Sequence, residues 1–286
     1  METLPRRAPG SFPAVSVVIG VKNGARALQG CLDSIAAQSA ASREVIVVDS
    51  ASTDGTRELV EANARAGKVT RFVSEPDRGL YEAWNKALRL AHGDWICFLG
   101  CDDRFHDEGA LHSLLEAAAA GRARVVHGRL NLVTDSGVVA ETLGRPWAAA
   151  RPAFLAGIMI PHPGTLHHRS LFEECGYFDE SYRIAGDYDM LLRELLAHAP
   201  LFVDRLVVDM RFGGMSSRPG AIAGNLREIQ RARQRHGLAG TPARLRLAIA
   251  AAWLGDVIRS LLGDRAYGWC ADAYRVARGK SRIWTV

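Results

Sequence analysis

Residues 96–105 read ICFLGCDDRF: an apolar run that ends in two adjacent carboxylates, Asp102 and Asp103. Side by side, two like charges repel, and an apolar setting favours their protonated forms. A cation held between them removes the conflict. The run itself has the look of a strand buried on both faces. Working outward, VSVVI (15–19), EVIVV (44–48), VTRFV (69–73) and DWICFL (94–99) repeat that pattern. Helical patterns separate them, one running to about Gln38, one after STDGT, and one over Gly79 to Ala91 with Leu80, Trp84 and Leu88 at four-residue spacing. Strand and helix in alternation predict a parallel sheet of βαβ units. Ligands of such sheets bind outside the carboxyl ends of the strands, where Asp49 and the Asp102/Asp103 pair both fall.

Beyond residue 120 the pattern changes. Residues 124–133 and 137–142 read as strands that can form a hairpin, 169–175 and 188–198 as helices, and 201–208 as a late strand. Residues 146–164, rich in Pro and Gly, are expected to be a loop, and 213–220 (GGMSSRPG) to be mobile. From about Ala221 the chain is helical and basic. The expected organisation is a tail (1–13), an α/β domain (14–220) divided at about residue 103, and a basic helical extension (221–286).

The chain has 286 residues, 48% hydrophobic and 23% charged, with a net charge of +5. Its mildly basic balance favours an anionic partner such as a nucleotide diphosphate or a membrane surface. No nucleic-acid recognition motif is present, and no nucleic-acid partner is expected. Five scattered cysteines without a CxxC pair argue against a disulfide framework or zinc site and fit a reducing cytoplasm. No uncharged stretch reaches the roughly 18 apolar residues that span a bilayer, so membrane contact is expected to be peripheral.

Several residues invite chemistry. Hard divalent cations take oxygen ligands, and Mg²⁺ commonly uses one or two carboxylates plus substrate phosphates, a role open to the acidic pair. A turn and helix cap is the competing role. Asp49 can accept hydrogen bonds from a nucleobase or serve a capped βα loop. In SEPDRGLYEAWNKAL (74–88), Arg78 can offset diphosphate charge and Asn85 can present its amide to the same cleft. In RIAGDYDMLLREL (183–195), Asp187 stands at a loop–helix junction suited to taking a proton from a hydroxyl, and Asp189 projects elsewhere. His162 is held between two prolines, either to reach a metal or diphosphate or to serve the fold.

Taken together, these stretches resemble the family 2 glycosyltransferases, with their nucleotide-diphospho-sugar (GT-A) fold. The resemblance covers roughly residues 14–235 and rests on VSVVIGVKNGARALQGCLDSIAAQS, VIVVDSASTDGT, SEPDRGLYEAWNKAL, WICFLGCDDRF and HPGTLHHRSLFEECGYFDESYRIAGDYDMLLR in that order. It implies a Rossmann-like, mainly parallel sheet flanked by helices. It also implies an inverting transfer from a nucleotide-diphospho-sugar, a UDP-sugar favoured, to a hydroxyl of a glycan or lipid-linked acceptor, with Mn²⁺ or Mg²⁺ as cofactor. By the same likeness Asp49 matches the base-binding carboxylate, Asp77 a second acidic position beside the base and ribose, Asp102 and Asp103 the metal-binding acidic motif with Asp103 favoured as the direct ligand, and Asp187 the general base. Val21, Asn23, Ser52, Arg78, Asn85 and Asp102 join the nucleotide site, and His162 is a second metal candidate. Two departures stand out: Cys101 where a strict Asp-x-Asp would begin, and Gly186 where many relatives carry Glu of a Glu-Asp pair.

Two other readings fit acidic residues on an α/β sheet. A nucleotidyltransferase usually shows a Gly-rich phosphate loop near the first strand, which VIGVKNGARAL lacks. A non-catalytic nucleotide-sugar-binding assembly protein remains compatible with the same residues. In the extension, Leu247, Ala251, Leu254, Ile258, Leu261 and Leu262 form a broad apolar arc beside basic residues. That pattern suits either an interfacial helix at the inner face of a membrane or packing against a second subunit.

Overall fold

The computed structural model describes residues 14–40, 42–214, 221–238, 240, 242–277, 279 and 282. The tail expected at 1–13 and residues 215–220 of the stretch expected to be mobile lie outside them. In chain order the elements are β1 (Val15–Val21), α1 (Ala25–Ala36), β2 (Arg43–Asp49), α2 (Thr56–Arg65), β3 (Arg71–Ser74), α3 (Leu80–Leu90) and β4 (Trp95–Gly100). There follow β5 (Arg104–Phe105), α4 (Ala110–Ala120), β6 (Val125–Val133), β7 (Val139–Leu143), α5 (Trp147–Leu155), β8 (Leu166–His168), α6 (Arg169–Cys175), α7 (Gly186–Leu195), β9 (Leu201–Arg211), α8 (Ile222–Arg235) and α9 (Ala243–Ala277).

Among the described residues the strands form one nine-stranded sheet in the order β3-β2-β1-β4-β8-β6-β9-β5, with β7 paired to β6. The first four strands run parallel, Val21 opposite Asp49, Asp49 opposite Ser74, and Gly20 opposite Gly100. Strand β8 is antiparallel to both β4 and β6, so the sheet is mixed beyond β4. The register brings the turns after β1, β2, β3 and β4 to one edge, since neighbouring strands lie only about 4.8 Å apart.

Successive side chains of a strand point to opposite faces, and here both faces are buried. Val18, Ile46, Ile96 and Phe98 pack under α3, α6 and α7, while Val17, Ile19, Val47 and Leu99 pack under α1 and α4. The first layer is rich in aromatics: Trp84 lies 4.5 Å from Phe98 and 5.3 Å from Phe178, ring centre to ring centre.

The hairpin expected after residue 124 is present as β6 and β7. The expected loop over 146–164 needs correcting, because α5 occupies Trp147–Leu155 with Pro152 inside it. Pro146 precedes its first turn, where a missing N–H costs nothing. The helix buries Ala150 and Phe154, and Phe154 meets Tyr188 edge to face at 5.1 Å. Packing of that one ring outweighs the local signal of the prolines.

Candidate functional site

The turns after β1 and β2 are sewn together by short polar side chains. Asn23 adopts a left-handed conformation (φ 52°), its N–H donates to Ser52 Oγ at 2.7 Å, and its Oδ1 accepts from Thr53 N at 3.0 Å. Asp54 accepts from the backbone of both Ala25 and Thr56, at 3.1 Å each, joining the starts of α1 and α2. Beneath them Asp49 is fully buried. It accepts from Ser52 N, from the Ser52 hydroxyl and from Ser74 Oγ at 2.7 Å. No surface of Asp49 is open to a ligand in this conformation; Ser52, Asn23 and the backbone at Val21 stand between it and the edge.

Asp77 follows β3, accepts from the Ser50 hydroxyl, and caps its own turn through Gly79 N at 3.1 Å. Arg78 is exposed and engaged with Glu82 (2.7 Å) and Glu180. The pair holds Glu82 far down, at about 2. Asn85 does not face the cleft. It is buried, and its amide grips Phe178 N (3.1 Å), Phe178 O (3.0 Å) and Glu180 Oε1 (2.9 Å). Its work is to anchor the segment before α7.

At the end of β4 the chain turns sharply, with Asp103 N donating to Gly100 O at 3.1 Å. Asp103 is buried, and its two oxygens accept from Gly100 N and from Arg211 N, each at 3.1 Å. Burial, and then the charge of Asp102, push Asp103 up to about 7. Asp102 stays half-exposed. The point where a Cβ on Gly100 would stand is 2.6 Å from Asp103 Oδ2 and 3.2 Å from Asp102 Oδ1. Absence of a side chain at position 100 therefore leaves a small cradle between two carboxylates. A hard cation needing one or two carboxylates plus phosphate oxygens fits that donor set. Asp102 is the more exposed of the two, and each Asp103 oxygen accepts one backbone N–H. Among the described residues no group of three or more His, Cys, Asp or Glu side chains could hold a metal on its own.

Asp187 stands in the first turn of α7, where helix N–H groups favour a negative charge. Its Oδ1 accepts from Tyr188 N at 2.8 Å and from the Tyr81 hydroxyl at 3.3 Å, and burial raises it to about 6. The approach to it is held from α8, because Glu228 accepts from the backbone of Arg183, Ile184 and Ala185 at 2.8–2.9 Å. Asp189 is a separate matter. It is fully buried and bound to Arg193 (2.5 Å) and His236 (3.0 Å) as a structural ion pair.

A cavity of about 290 Å³ opens beside Asp187. Asp187, His162, Arg211 and Asn225 line it together with apolar side chains such as Leu130 and Met159. Through the Arg211 backbone it adjoins Asp103. His162 is buried against Trp84 (5.3 Å) and Phe98 (5.7 Å), its Nε2 has no partner, and burial keeps it neutral. Its ring contacts are aromatic, and among the described residues no group of three or more His, Cys, Asp or Glu side chains surrounds it as a metal site. Sequence reasoning missed Glu228, Tyr81 and Arg211, since each lies far along the chain from the carboxylate it serves.

A family model described as "Glycosyl transferase family 2" matches residues 16–170, which include Asp49, Asp77 and the acidic pair. The chain belongs to this family. A PGL/p-HBAD biosynthesis glycosyltransferase of Mycobacterium bovis is 32% identical over 184 residues, 63% of this chain and 69% of the relative. An uncharacterized glycosyltransferase of Mycobacterium tuberculosis is 29% identical over 235 residues, 80% and 88% of the two chains. Among solved structures, Staphylococcus aureus TarS 1-349 in complex with UDP-GlcNAc aligns with a TM-score of 0.61 at 18% identity, over 86% of this chain and 73% of that one. The mannosyltransferase PcManGT from Pyrobaculum calidifontis, in complex with GDP-Man and Mn²⁺, aligns at 0.58 and 20% identity over 97% and 84%. At such identities these two likenesses speak for the fold, which is GT-A.

The packing accounts for a glycine at position 186. A Cβ at position 186 would lie 2.7–2.9 Å from three carbons of the Tyr81 ring. The ring fills the room a glutamate would need, and its hydroxyl bonds to Asp187 and to Ile184 O instead. Gly186→Glu is therefore expected to cost about 1–3 kcal/mol by overpacking. Combined with Tyr81→Ala, the loss should fall short of the sum of the two single losses. Urea unfolding of the four proteins measures this, and strict additivity would mean that the ring and position 186 do not compete.

Proposed function

We propose that the protein transfers a sugar, with inversion, from a nucleotide-diphospho-sugar to a hydroxyl of an acceptor that carries an apolar part. A UDP-sugar is the favoured donor, and a glycan or lipid-linked molecule the acceptor. The observation that carries this reading is the shared cavity, with Asp187 on one wall and Arg211, tied to Asp103, on another. The UDP-GlcNAc bound by TarS and the biosynthetic name of the mycobacterial relative support donor and setting.

In this reading the base end of the donor lies over Ser52 and Asn23, with Asp49 holding Ser52 and Ser74 from below and Asp77 beside the ribose. The diphosphate lies at the Gly100 cradle. Mn²⁺ or Mg²⁺ bound there by Asp102, with Asp103 behind it, would offset the charge that grows on the departing nucleoside diphosphate. Arg211, whose backbone N–H binds Asp103, can share that task. Its present partner, Asp135 at 2.7 Å, is a mostly exposed ion pair of the kind worth under about 1 kcal/mol and easily exchanged. The apolar side chains of the cavity receive the acceptor. Asp187 takes the proton of the acceptor hydroxyl as that oxygen bonds to the anomeric carbon, while the bond from that carbon to the phosphate oxygen breaks on the opposite face. Tyr81 holds the carboxylate in line and Glu228 holds the loop that carries it.

Asp187→Asn should abolish acceptor-dependent release of nucleoside diphosphate while donor binding by calorimetry survives; undiminished turnover would remove Asp187 as base. Wild-type kcat/KM should fall about tenfold per pH unit below about 6, because the base must be ionised. The Tyr81 hydroxyl favours the charged form, so Tyr81→Phe should move that acid limb to higher pH. A limb unmoved by Tyr81→Phe would show that the hydroxyl does not act on Asp187.

A further inference from the structure

Helix α9 turns its apolar side outward. Leu247, Leu254 and Leu261, spaced two turns apart, form one stripe and are 71%, 54% and 76% exposed. Trp253 flanks them at 66%. Gly263 (φ 82°) breaks the helix, and in the segment after it Trp269 is 72% exposed. The inward side is the one that packs on the domain. Leu245 is buried beside Ile229, over Gly157, while beyond the kink Tyr267 folds back on Gly255 within α9 itself. Among the described residues no helix is long and apolar enough to cross a membrane.

We infer that this face docks on an anionic lipid surface. Charge selects that occupant. Residues 241–286 carry eight basic side chains (Arg244, Arg246, Arg259, Arg265, Arg275, Arg278, Lys280, Arg282) and three acidic ones (Asp256, Asp264, Asp272), eight minus three leaving +5. Of the acids, Asp272 is buried and Asp256 half-buried, whereas Arg246, Arg265 and Arg282 are exposed. An outward apolar stripe with tryptophans and cations beside it is the arrangement that binds the headgroup boundary of an anionic bilayer. A second copy on the same face would set this positive charge against itself, since a two-fold interface pairs each patch with its own image. The location also has a use. Ile229, on which Leu245 packs, lines the cavity of Asp187, so docking sets that cavity beside the bilayer.

The test is co-sedimentation of the full chain with vesicles of phosphatidylcholine, with and without phosphatidylglycerol. It needs no substrate, so its failure is distinct from failure of the proposed reaction. The protein should partition onto the anionic vesicles, weakly onto phosphatidylcholine alone, and less as salt is raised. Leu254→Glu with Leu261→Glu, folded by circular dichroism, should lower partition at least about tenfold. Arg246→Gln with Arg265→Gln should lower the preference for phosphatidylglycerol. Wild-type protein left in the supernatant, equal partition of the glutamate variant, or a dimer that this variant dissolves would overturn the inference.

Discussion

A carboxylate withdrawn from water costs several kcal/mol unless donors replace the water it loses. Asp49, Asp103 and Asp187 each collect such donors and the loops around them are shaped by doing so, although at Asp103 and Asp187 burial still outweighs the donors and raises the carboxyl. Asp49 collects hydroxyls and an N–H from two turns. Asp103 draws the end of β9 to the end of β4. Asp187 leans on Tyr81 and on its own helix start. The parallel register of β1, β2 and β4 makes this possible, because it delivers the turns side by side. Each anchor is thus a structural tie, and in the proposed reaction Asp103 and Asp187 stand beside the donor and the acceptor respectively.

The site also shows how a position without a side chain can matter. Gly100 leaves room between Asp102 and Asp103, and Gly186 leaves room for the Tyr81 ring. In the first case the room suits a cation. In the second a neutral phenol hydroxyl stands beside Asp187, the base of the proposed reaction. A carboxylate there would repel Asp187 and raise it further, while the phenol donates a hydrogen bond and lowers it.

Strands at 15–19, 44–48 and 94–99 were legible because β-branched, doubly buried strands leave an uninterrupted apolar run. The edge carrying Asp49 and the acidic pair followed from strand–helix alternation. Helix α5 was hidden by Pro146 and Pro152, since its stability comes from Phe154 meeting Tyr188, a contact across the fold. Asn85 was legible as a residue of the helix face but not as the clamp on Phe178, and the bond from the Arg211 backbone to Asp103 was equally hidden. Periodicity announced an amphipathic α9, yet only packing of Leu245 against Ile229 reveals that the stripe through Leu254 faces away from the domain.

The central claim is that the gap at Gly100 seats a cation which joins the paired carboxylates to a diphosphate. Calorimetric titration of UDP, with and without Mn²⁺, into the wild type and Gly100→Ala tests it directly. The account predicts that Mn²⁺ strengthens binding to the wild type and that the added methyl, which would stand 2.6 Å from Asp103 Oδ2, removes most of that gain. An equal gain in both proteins would contradict it.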